Sequence, residues 1–366
     1  MVSAGIAPSS AGPFDHYLYV LACGDGSLYT GYTTDVAARV AAHQAGRGAR
    51  YTRSHEPVRL IARARFYSKR RAMSAEARFK RLDRAEKDRL LALAAREPFE
   101  DVLRRELSGF GDDTAQEFVD RSLASWVDSD FARFQAGLIP TVDARAIVGV
   151  RTPELRRIAR ELVRRDDAGV FFAALPHWLF EEMQVHALAI GLERDYDKAL
   201  ALYRAFLPHI DNWATCDQLP VKVLAARPAE TLVHVGAWLL TERCYPMRFA
   251  IRVLMALFLG ERFELRFLEM VAEARLSAED GAGEGMVSAD DIYYLNMMRA
   301  WYFAEALVWQ PARALPYLER RGEAALLDEW TRRKAIQKAV ESRRVSSEMK
   351  QRLRMMRGGR FPHRAR

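Results

Sequence analysis

Residues 17–31, which read YLYVLACGDGSLYTG, decide the fold of the first part of the chain. The apolar and aromatic run 17–23 predicts a strand, the Gly-Asp-Gly of 24–26 predicts a turn, and 27–31 resumes the strand pattern. Aromatic and β-branched residues suit a pleated, half-buried surface, whereas glycine next to aspartate favours a tight reversal. The segment therefore predicts a β-hairpin.

The sequence after the hairpin continues as alternating strand and helix signals. Thr34 or Asp35 can cap a helix, residues 59–67 alternate as a third strand, and residues 74–82 predict a second helix. Asp83 followed by Glu86 is a capping-box pattern that starts one more helix, ending near residue 95. We therefore expect a small α+β domain over residues 15–97, preceded by a disordered N-terminus over residues 1–14.

Strand signals end at residue 97, and apolar residues recur at helical spacing in the remainder, for example over 153–163 and 294–309. A long all-α region of successive helix pairs is typical of a stacked superhelical solenoid. The predicted organisation is a linker over 98–112, a helical domain over 113–351 and a basic tail over 352–366. Residues 109–113 and 278–285 are expected to form surface loops.

Composition and charge exclude several classes of protein. Of the 366 residues 50% are hydrophobic and 28% are charged, and no apolar run approaches the roughly 20 residues of a membrane span, which predicts a globular protein outside the membrane. Three distant cysteines and the lack of an export signal predict a cytoplasmic, nucleoid-associated location. Residues 1–97 hold 17 Lys and Arg against 9 Asp and Glu, so this quarter carries the whole formal charge of +8. Such an excess favours a nucleic-acid partner.

The first region carries the residue types that phosphodiester hydrolysis requires. Tyr19 and Tyr29 lie on the hairpin strands, Arg39 and His43 share one face of the next helix, and Glu76 lies on a later helix. Hydrolysis needs a group that activates water, a cation facing the phosphate and a carboxylate for a divalent metal. Taken singly, each of these residues is also compatible with packing or with a solvated helix face.

The ordered set resembles the GIY-YIG endonuclease superfamily, most closely its small YhbQ-type branch. Residues 17–19 (Tyr-Leu-Tyr) stand where the family has Gly-Ile-Tyr, residues 29–31 (Tyr-Thr-Gly) where it has Tyr-Ile-Gly, and Glu76 where it has its metal-binding glutamate. The resemblance implies one Mg²⁺ or Mn²⁺ ion on Glu76 and a phosphate on Arg39. It implies that Tyr19, helped by Tyr29 or His43, positions or deprotonates water.

Polar and aromatic residues also interrupt the helical region. Trp213 and Asp217 are four residues apart on one predicted helix, with Asp211 as its expected N-cap, and Arg248 and Trp301 lie on later helices. A helical solenoid most often binds other proteins, and each of these residues is compatible with a structural role.

The helical region resembles the AlkD-type family of DNA alkylation repair glycosylases, which is built from HEAT-like repeats. Segments 149–156, 211–217 and 334–342 carry the likeness. It implies that Asp217 is catalytic, that Trp213 and Trp301 flank the lesion, and that Arg248 contacts the DNA backbone. A carboxylate can stabilise an oxocarbenium-like sugar, and indole faces attract a cationic N3- or N7-alkylpurine.

These features together predict a DNA repair protein that joins a metal-dependent endonuclease to an alkylpurine glycosylase and acts on damaged or branched double-stranded DNA. No G-x-x-x-x-G-K-[ST] motif is present, so no nucleotide cofactor is expected, and the glycosylase-like part needs no cofactor. Two alternatives stay open: a structure-specific nuclease whose solenoid only binds branched or distorted DNA, and a non-catalytic HEAT-type scaffold.

Overall fold

The computed structural model describes residues 15–107, 113–276 and 287–356. The chain divides into two compact units, the first made of residues 1–129 with 148–174 and the second of residues 130–147 with 175–366. A small α+β region comes first and a mostly helical region follows, as the sequence predicts. The stacking of the helices into a superhelix stays a prediction.

The first unit is built on a three-stranded antiparallel sheet in the order β2-β1-β3. Its strands are β1 (His16–Ala22), β2 (Leu28–Thr33) and β3 (Arg59–Phe66). β1 and β2 form the hairpin that residues 17–31 predict, and their register places Tyr19 opposite Gly31. The pairing of β1 with β3 is irregular between Val20 and Leu21. The central strand therefore carries its Tyr19 between two neighbouring strands.

Side-chain caps fix where the helices of this unit begin. The helices are α1 (Val36–Gln44), α2 (Arg50–Arg53), α3 (Lys69–Arg81), α4 (Arg84–Ala94), α5 (Phe99–Glu106), α6 (Ala115–Ala124), α8 (Thr152–Leu162) and α9 (Ala168–Ala173), with α7 (Ser129–Leu138) between α6 and α8 in the chain. The carboxylates of Asp35 and Asp83 accept hydrogen bonds from the first turns of α1 and α4, as predicted. α3 begins five residues before its predicted start at 74, because Ser68 caps it.

The two faces of the sheet bury different sets of side chains, because successive residues of a strand point to opposite faces. Leu18 and Val20 pack with Ala72, Ala75 and Phe79 of α3. The alternate residues form a second cluster with residues of α1, and its buried members are Tyr19, Leu21, Cys23, Val36 and Val58. α1 and α3 therefore cover opposite faces.

The segment predicted as a linker, residues 98–112, contains the helix α5. Phe99, Val102 and Leu103 of α5 are buried in the same cluster as Leu18 of β1. Their spacing of three and four residues places them on one apolar face of the helix. The sequence predicts a linker because many other residues of the segment are charged. Residues 98–107 are thus part of the core of the first unit, and residues 108–112 lie outside the described residues.

The second unit is helical throughout the part that the structure describes. After most of α7 come α10 (Phe180–Ile190), α11 (Tyr196–Phe206), α12 (Trp213–Gln218), α13 (Pro228–Leu239), α14 (Cys244–Leu257), α15 (Leu265–Glu273), α16 (Ala289–Trp309), α17 (Pro311–Glu319), α18 (Glu329–Glu341) and α19 (Ser347–Met356). The N-cap of α12 is Asn212, whose side chain accepts the Thr215 amide, and not Asp211 as predicted.

Several predicted segments cannot be compared with the structure. The N-terminal residues 1–14, most of the two predicted loops and residues 357–366 of the basic tail lie outside the described residues. Residues 352–356 form the last turn of α19. Within the described ranges, every helix is too short or too polar to cross a bilayer.

Candidate active sites

Tyr19 is the centre of a hydrogen-bonded cluster beneath α1. Its side chain is fully buried. Its phenolic oxygen lies 2.9 Å from Nε2 of His43 and accepts a hydrogen bond of 3.2 Å from Nε of Arg39. Arg39 and His43 are four residues apart on α1, so both side chains point to the same face of the helix. Three of the predicted nuclease residues are therefore in direct contact.

The next hydrogen bond in the cluster fixes the tautomer of His43. Nδ1 of His43 lies 2.7 Å from the Thr52 hydroxyl, and that hydroxyl donates its proton to the carbonyl oxygen of Ala49. Because a hydroxyl has only one proton, Thr52 must accept from Nδ1–H of His43. Nε2 of the neutral ring then carries a lone pair, and Tyr19 donates its proton to it. His43 is thus placed to receive the phenolic proton.

Burial sets the resting protonation of this pair. Burial raises the pKa of Tyr19 to about 12, and the hydrogen bond from Arg39 opposes the shift. Burial, followed by the charge of Arg39, lowers the pKa of His43 below its ordinary value of 6.5. At neutral pH the tyrosine is therefore protonated and the histidine is neutral, which is the state that the hydrogen bonds require.

Two glycines make room for the cluster. A Cβ atom on Gly31 would lie 2.5 Å from the Tyr19 hydroxyl oxygen, and a Cβ atom on Gly48 would lie 2.2 Å from Nδ1 of His43. Both distances are far inside van der Waals contact, so each position excludes every other amino acid unless Tyr19 or His43 moves. Gly31 is the last residue of the motif at 29–31, and a glycine is required there because the Tyr19 hydroxyl occupies the space of a side chain.

Tyr29 completes the group of four on this face of the sheet. The centroid of its ring lies 5.1 Å from that of His43 and 6.3 Å from that of Tyr19. Its hydroxyl also contributes to the raised pKa of Arg39, for which the hydrogen bond to Tyr19 is the largest cause. No ion pair joins Arg39 to a carboxylate of the described residues. Its guanidinium is therefore available to an external anion.

Glu76 is the predicted nuclease residue for which no hydrogen bond or ion pair to this cluster is found among the described residues. It lies on α3, which packs against the opposite face of the sheet, and its partly exposed carboxylate forms an ion pair of 2.5 Å with Lys80 on the same helix. The described residues include no group of three His, Cys, Asp or Glu arranged to hold a metal. Mg²⁺ is often held by one or two carboxylates with water and substrate phosphates, so the Glu76 donor fits such a site.

The sequence did not single out Thr52 or Arg63. Thr52 sets the His43 tautomer from nine residues away in the chain, and it lies on the short helix α2. Arg63 of β3 lies directly opposite Tyr19 of β1, and its side chain is exposed. Residues paired in this way share one face of a sheet, so Arg63 adds a second positive charge beside Tyr19. Strand alignment could have identified it.

The second unit contains a cleft of about 460 Å³ that is lined by α12, α14, α16 and α18. It contains four predicted residues, namely Trp213, Asp217, Arg248 and Trp301. Trp213 and Asp217 are one turn apart on α12, as the spacing predicts. The structure therefore brings the whole predicted glycosylase set to one place.

Asp217 and Arg248 form a bidentate ion pair in the cleft. Nε of Arg248 donates to Oδ1 of Asp217 at 2.9 Å, Nη2 donates to Oδ2 at 2.6 Å, and Nη1 donates to the carbonyl oxygen of Tyr294 at 2.6 Å. The side chain of Arg248 is only 4% exposed and that of Asp217 is 18% exposed. Burial opposes the charge of Arg248, but the hydrogen bonds and charge of Asp217 and the two nearby cysteines together keep its pKa above the ordinary value.

This geometry corrects the role that was predicted for Arg248. A guanidinium that is buried and engaged by an aspartate and a carbonyl group is not placed to grip a DNA phosphate. Arg248 instead orients the Asp217 carboxylate through its two hydrogen bonds. The error arose because a partner 31 residues away in the chain cannot be read from local sequence.

The tryptophans form the walls of the cleft. Nε1 of Trp213 donates to the carbonyl oxygen of Leu138 at 3.2 Å, which fixes the indole, and Trp301 is 36% exposed. The Nζ atom of Lys338, a residue that the sequence did not select, lies 5.9 Å from the centre of the Trp301 ring. A cleft lined by a carboxylate and by indole rings is suited to a cationic or electron-poor ligand.

Comparison with known proteins identifies both parts of the chain. The family model of the GIY-YIG catalytic domain matches residues 15–89, and that of the DNA alkylation repair enzyme matches residues 104–280. A UPF0213 protein of Natronomonas pharaonis is 58% identical over 78 residues, which are 21% of this chain and 92% of the relative. A UPF0213 protein of Streptococcus sanguinis is 62% identical over 71 residues, which are 19% of this chain and 82% of the relative.

Among solved structures, the solution NMR structure of the UPF0213 protein from Bacillus halodurans is 47% identical, with 25% of this chain and 96% of that chain covered and a TM-score of 0.17. The likeness to the UPF0213 proteins is confined to the first unit, where the Tyr19 cluster lies. The chain therefore belongs to the GIY-YIG family through this N-terminal part, and residues 104–280 that follow are similar to the DNA alkylation repair enzyme family.

Proposed function

We propose that this protein is a DNA repair enzyme in which a metal-dependent endonuclease and an alkylpurine DNA glycosylase act on the same damaged duplex. The glycosylase part rests above all on one observation, the Asp217 carboxylate held by a buried arginine in a cleft that two tryptophans also line. The nuclease part rests on the Tyr19 cluster and on the membership of the GIY-YIG family.

In the nuclease site, the cluster supplies a proton acceptor and a phosphate-binding cation. Tyr19 passes its proton to Nε2 of His43, and the phenolate oxygen then takes a proton from the attacking water. The guanidinium of Arg39 binds the phosphate oxygens and stabilises the charge that develops on them. Glu76 would hold a Mg²⁺ or Mn²⁺ ion, which would supply Lewis-acid stabilisation of developing negative charge.

In the glycosylase site, the carboxylate and the indoles act on a base that carries a positive charge. Alkylation at N3 or N7 of a purine weakens the glycosidic bond, and cleavage leaves positive charge on the sugar. Asp217 stabilises that sugar cation and orients the water that attacks it. Trp213 and Trp301 favour the charged base over a normal one by roughly 0.5–2 kcal/mol each.

The experiment that tests this proposal uses the full-length protein with methylated, branched and undamaged duplexes, with and without Mg²⁺. Release of 7-methylguanine and strand nicking are measured separately. We expect Glu76→Gln to abolish nicking and retain base release, and Asp217→Asn to do the reverse. Glu86→Gln and Asp211→Asn are matched controls, because each removes an exposed carboxylate outside the sites.

The outcomes also separate the alternatives. Nicking of branched DNA without base release from methylated DNA would favour a structure-specific nuclease whose helical part only binds distorted DNA. Metal-dependent nicking that survives Glu76→Gln would contradict the nuclease site, and base release that survives Asp217→Asn would contradict the glycosylase site. If neither activity nor DNA binding is found, the helical part is a scaffold for other proteins.

A further inference from the structure

The cleft around Asp217 contains an amine that neither family match accounts for. Lys338 of α18 lines the cleft with its half-buried side chain, and its Nζ atom approaches the face of Trp301. No carboxylate of the described residues lies within ion-pair distance of this Nζ atom. One turn earlier on the same helix, Lys334 has a different environment, because its Nζ atom donates to Gln337 at 3.2 Å and lies over Trp330.

The surroundings of Lys338 favour its neutral form. Burial is the largest cause of the lowered pKa of this amine, and the positive charges of Arg248 and Lys334 lower it further. The charges of Glu341 and Asp217 act in the opposite direction without reversing the shift. A neutral amine is a nucleophile and an ammonium ion is not, so burial beside other cations is the usual way to activate a lysine.

The product of base excision is the electrophile that such an amine attacks. Removal of a base at Asp217 leaves an abasic deoxyribose, and the ring-opened form of this sugar has an aldehyde at C1′. Asp217 and Lys338 line the same cleft, so the sugar that loses its base beside the carboxylate is within the same cavity as the amine. This step rests on the proposed function for the origin of the abasic site.

We propose that Lys338 is the nucleophile of an abasic-site lyase, which cleaves DNA on the 3′ side of an abasic deoxyribose without a metal. Nζ attacks the C1′ aldehyde, and loss of water gives a protonated imine. Asp217 takes a proton from C2′, and the C3′–O3′ bond breaks with its electron pair moving to the departing phosphate oxygen. Water then hydrolyses the imine, which restores Lys338 and releases an unsaturated aldehyde on the 3′ end.

The test traps the imine. The full-length protein is incubated with a duplex that contains one preformed abasic site, in EDTA so that no metal-dependent nicking occurs, and sodium borohydride is added to reduce the imine to a stable amine. We expect the wild-type protein to give a covalent protein–DNA adduct. The yield of this adduct should be at least about tenfold lower in Lys338→Arg and nearly unchanged in the matched control Lys334→Arg. Peptide mapping of the adduct is expected to place the DNA on residue 338.

A binding measurement separates nucleophilic attack from simple attraction. The affinity for a duplex with a tetrahydrofuran analogue, which has no aldehyde, is expected to change by less than about threefold in Lys338→Arg, because arginine keeps a long side chain that ends in N–H donors. No adduct with the wild type, or an adduct of equal yield in Lys338→Arg, would overturn the proposal. A parallel fall of binding and adduct would also overturn it, since Lys338 would then be only an electrostatic contact.

The preformed abasic site keeps the two proposals separable. An adduct without release of 7-methylguanine from methylated DNA would support the lyase and contradict the glycosylase. Release of 7-methylguanine without an adduct would contradict the lyase and leave the proposed function in place.

Discussion

The arginines of the two candidate sites differ in their partners. Arg39 donates to the Tyr19 oxygen, interacts with the Tyr29 hydroxyl and has no carboxylate partner among the described residues, so its charge can attract an anion. Arg248 is bound on three sides by Asp217 and the Tyr294 carbonyl group, so the group that faces the cleft is a carboxylate. The first site is built to receive a negative charge and the second to receive a positive one.

This difference explains why the net charge of a region predicts one site and not the other. The basic excess of residues 1–97 matches a site that binds phosphate. The cleft in the second unit presents a single oriented carboxylate and aromatic faces, which contribute almost nothing to the net charge. Experiments that change one kind of charge should therefore affect one activity and spare the other.

The largest expected effect comes from the Tyr19 hydroxyl. Tyr19→Phe keeps the ring and removes the oxygen that joins Arg39 to His43, so metal-dependent nicking should fall by about 10²- to 10⁴-fold. Base release should be unchanged, as measured on the same preparation. Tyr32→Phe removes a hydroxyl from the other face of the same sheet and is the control. Equal losses in the two variants would mean that the hydroxyl is structural.

The next largest effect concerns the Asp217–Arg248 ion pair. Arg248→Met leaves a mostly buried carboxylate without its partner, so the second unit should lose about 3 kcal/mol of unfolding free energy. Urea unfolding followed by tryptophan fluorescence measures this loss. The double variant with Asp217→Leu should recover much of it, because both charges are then gone. A double variant as unstable as Arg248→Met would show that the arginine stabilises through packing alone.

A smaller effect is expected from the indole that lines the cleft. Trp301→Leu should weaken the preference for methylated over unmodified DNA by about 3- to 30-fold, which corresponds to roughly 0.5–2 kcal/mol of cation–π attraction. Competition binding with the two duplexes gives this ratio. Trp309→Leu, which removes an exposed indole eight residues later on α16 and outside the cleft, should leave the ratio unchanged. A ratio unaltered in Trp301→Leu would remove the indole from lesion selection.

The smallest expected effect is the pH response of His43. The folded pKa lies below 6.5, so the stability that neutral His43 contributes is complete above pH 6.5 and declines as the pH falls below it. Histidine-labelled NMR should find protonated Nδ1 and bare Nε2 at pH 7. Thr52→Val removes the acceptor of Nδ1–H and is expected to weaken the preference for this tautomer. A protonated Nε2 in the wild type would contradict the direction of proton transfer proposed from Tyr19.

The sequence predicts local features of the fold well and distant contacts poorly. The hairpin at 17–31 and the capping role of Asp35 and Asp83 depend on neighbours within a few residues, and the structure agrees. The sequence predicts a linker in place of α5, because the three apolar residues of this helix are recognisable as core residues only through their packing with Leu18 of a distant strand.

The same division applies to the candidate sites. Helical spacing places two pairs of residues on common helix faces, as predicted. These pairs are Trp213 with Asp217 and Arg39 with His43. The pairing of Arg248 with Asp217 and the place of Lys338 beside Trp301 both join separate helices, and no local pattern encodes them. Long-range packing therefore decides which charged side chain is left facing the ligand.

The close contact between Gly31 and the Tyr19 hydroxyl suggests a useful genetic variant. Gly31→Val adds a branched side chain at a point where even a Cβ atom would lie 2.5 Å from the phenolic oxygen, and it leaves all the chemical groups of both sites in the sequence. If the proposed function holds, such a variant is expected to be a separation-of-function allele, because the added side chain displaces the Tyr19 hydroxyl and leaves the second unit unchanged. Cells that carry it would reveal which repair phenotypes depend on the helical half acting by itself.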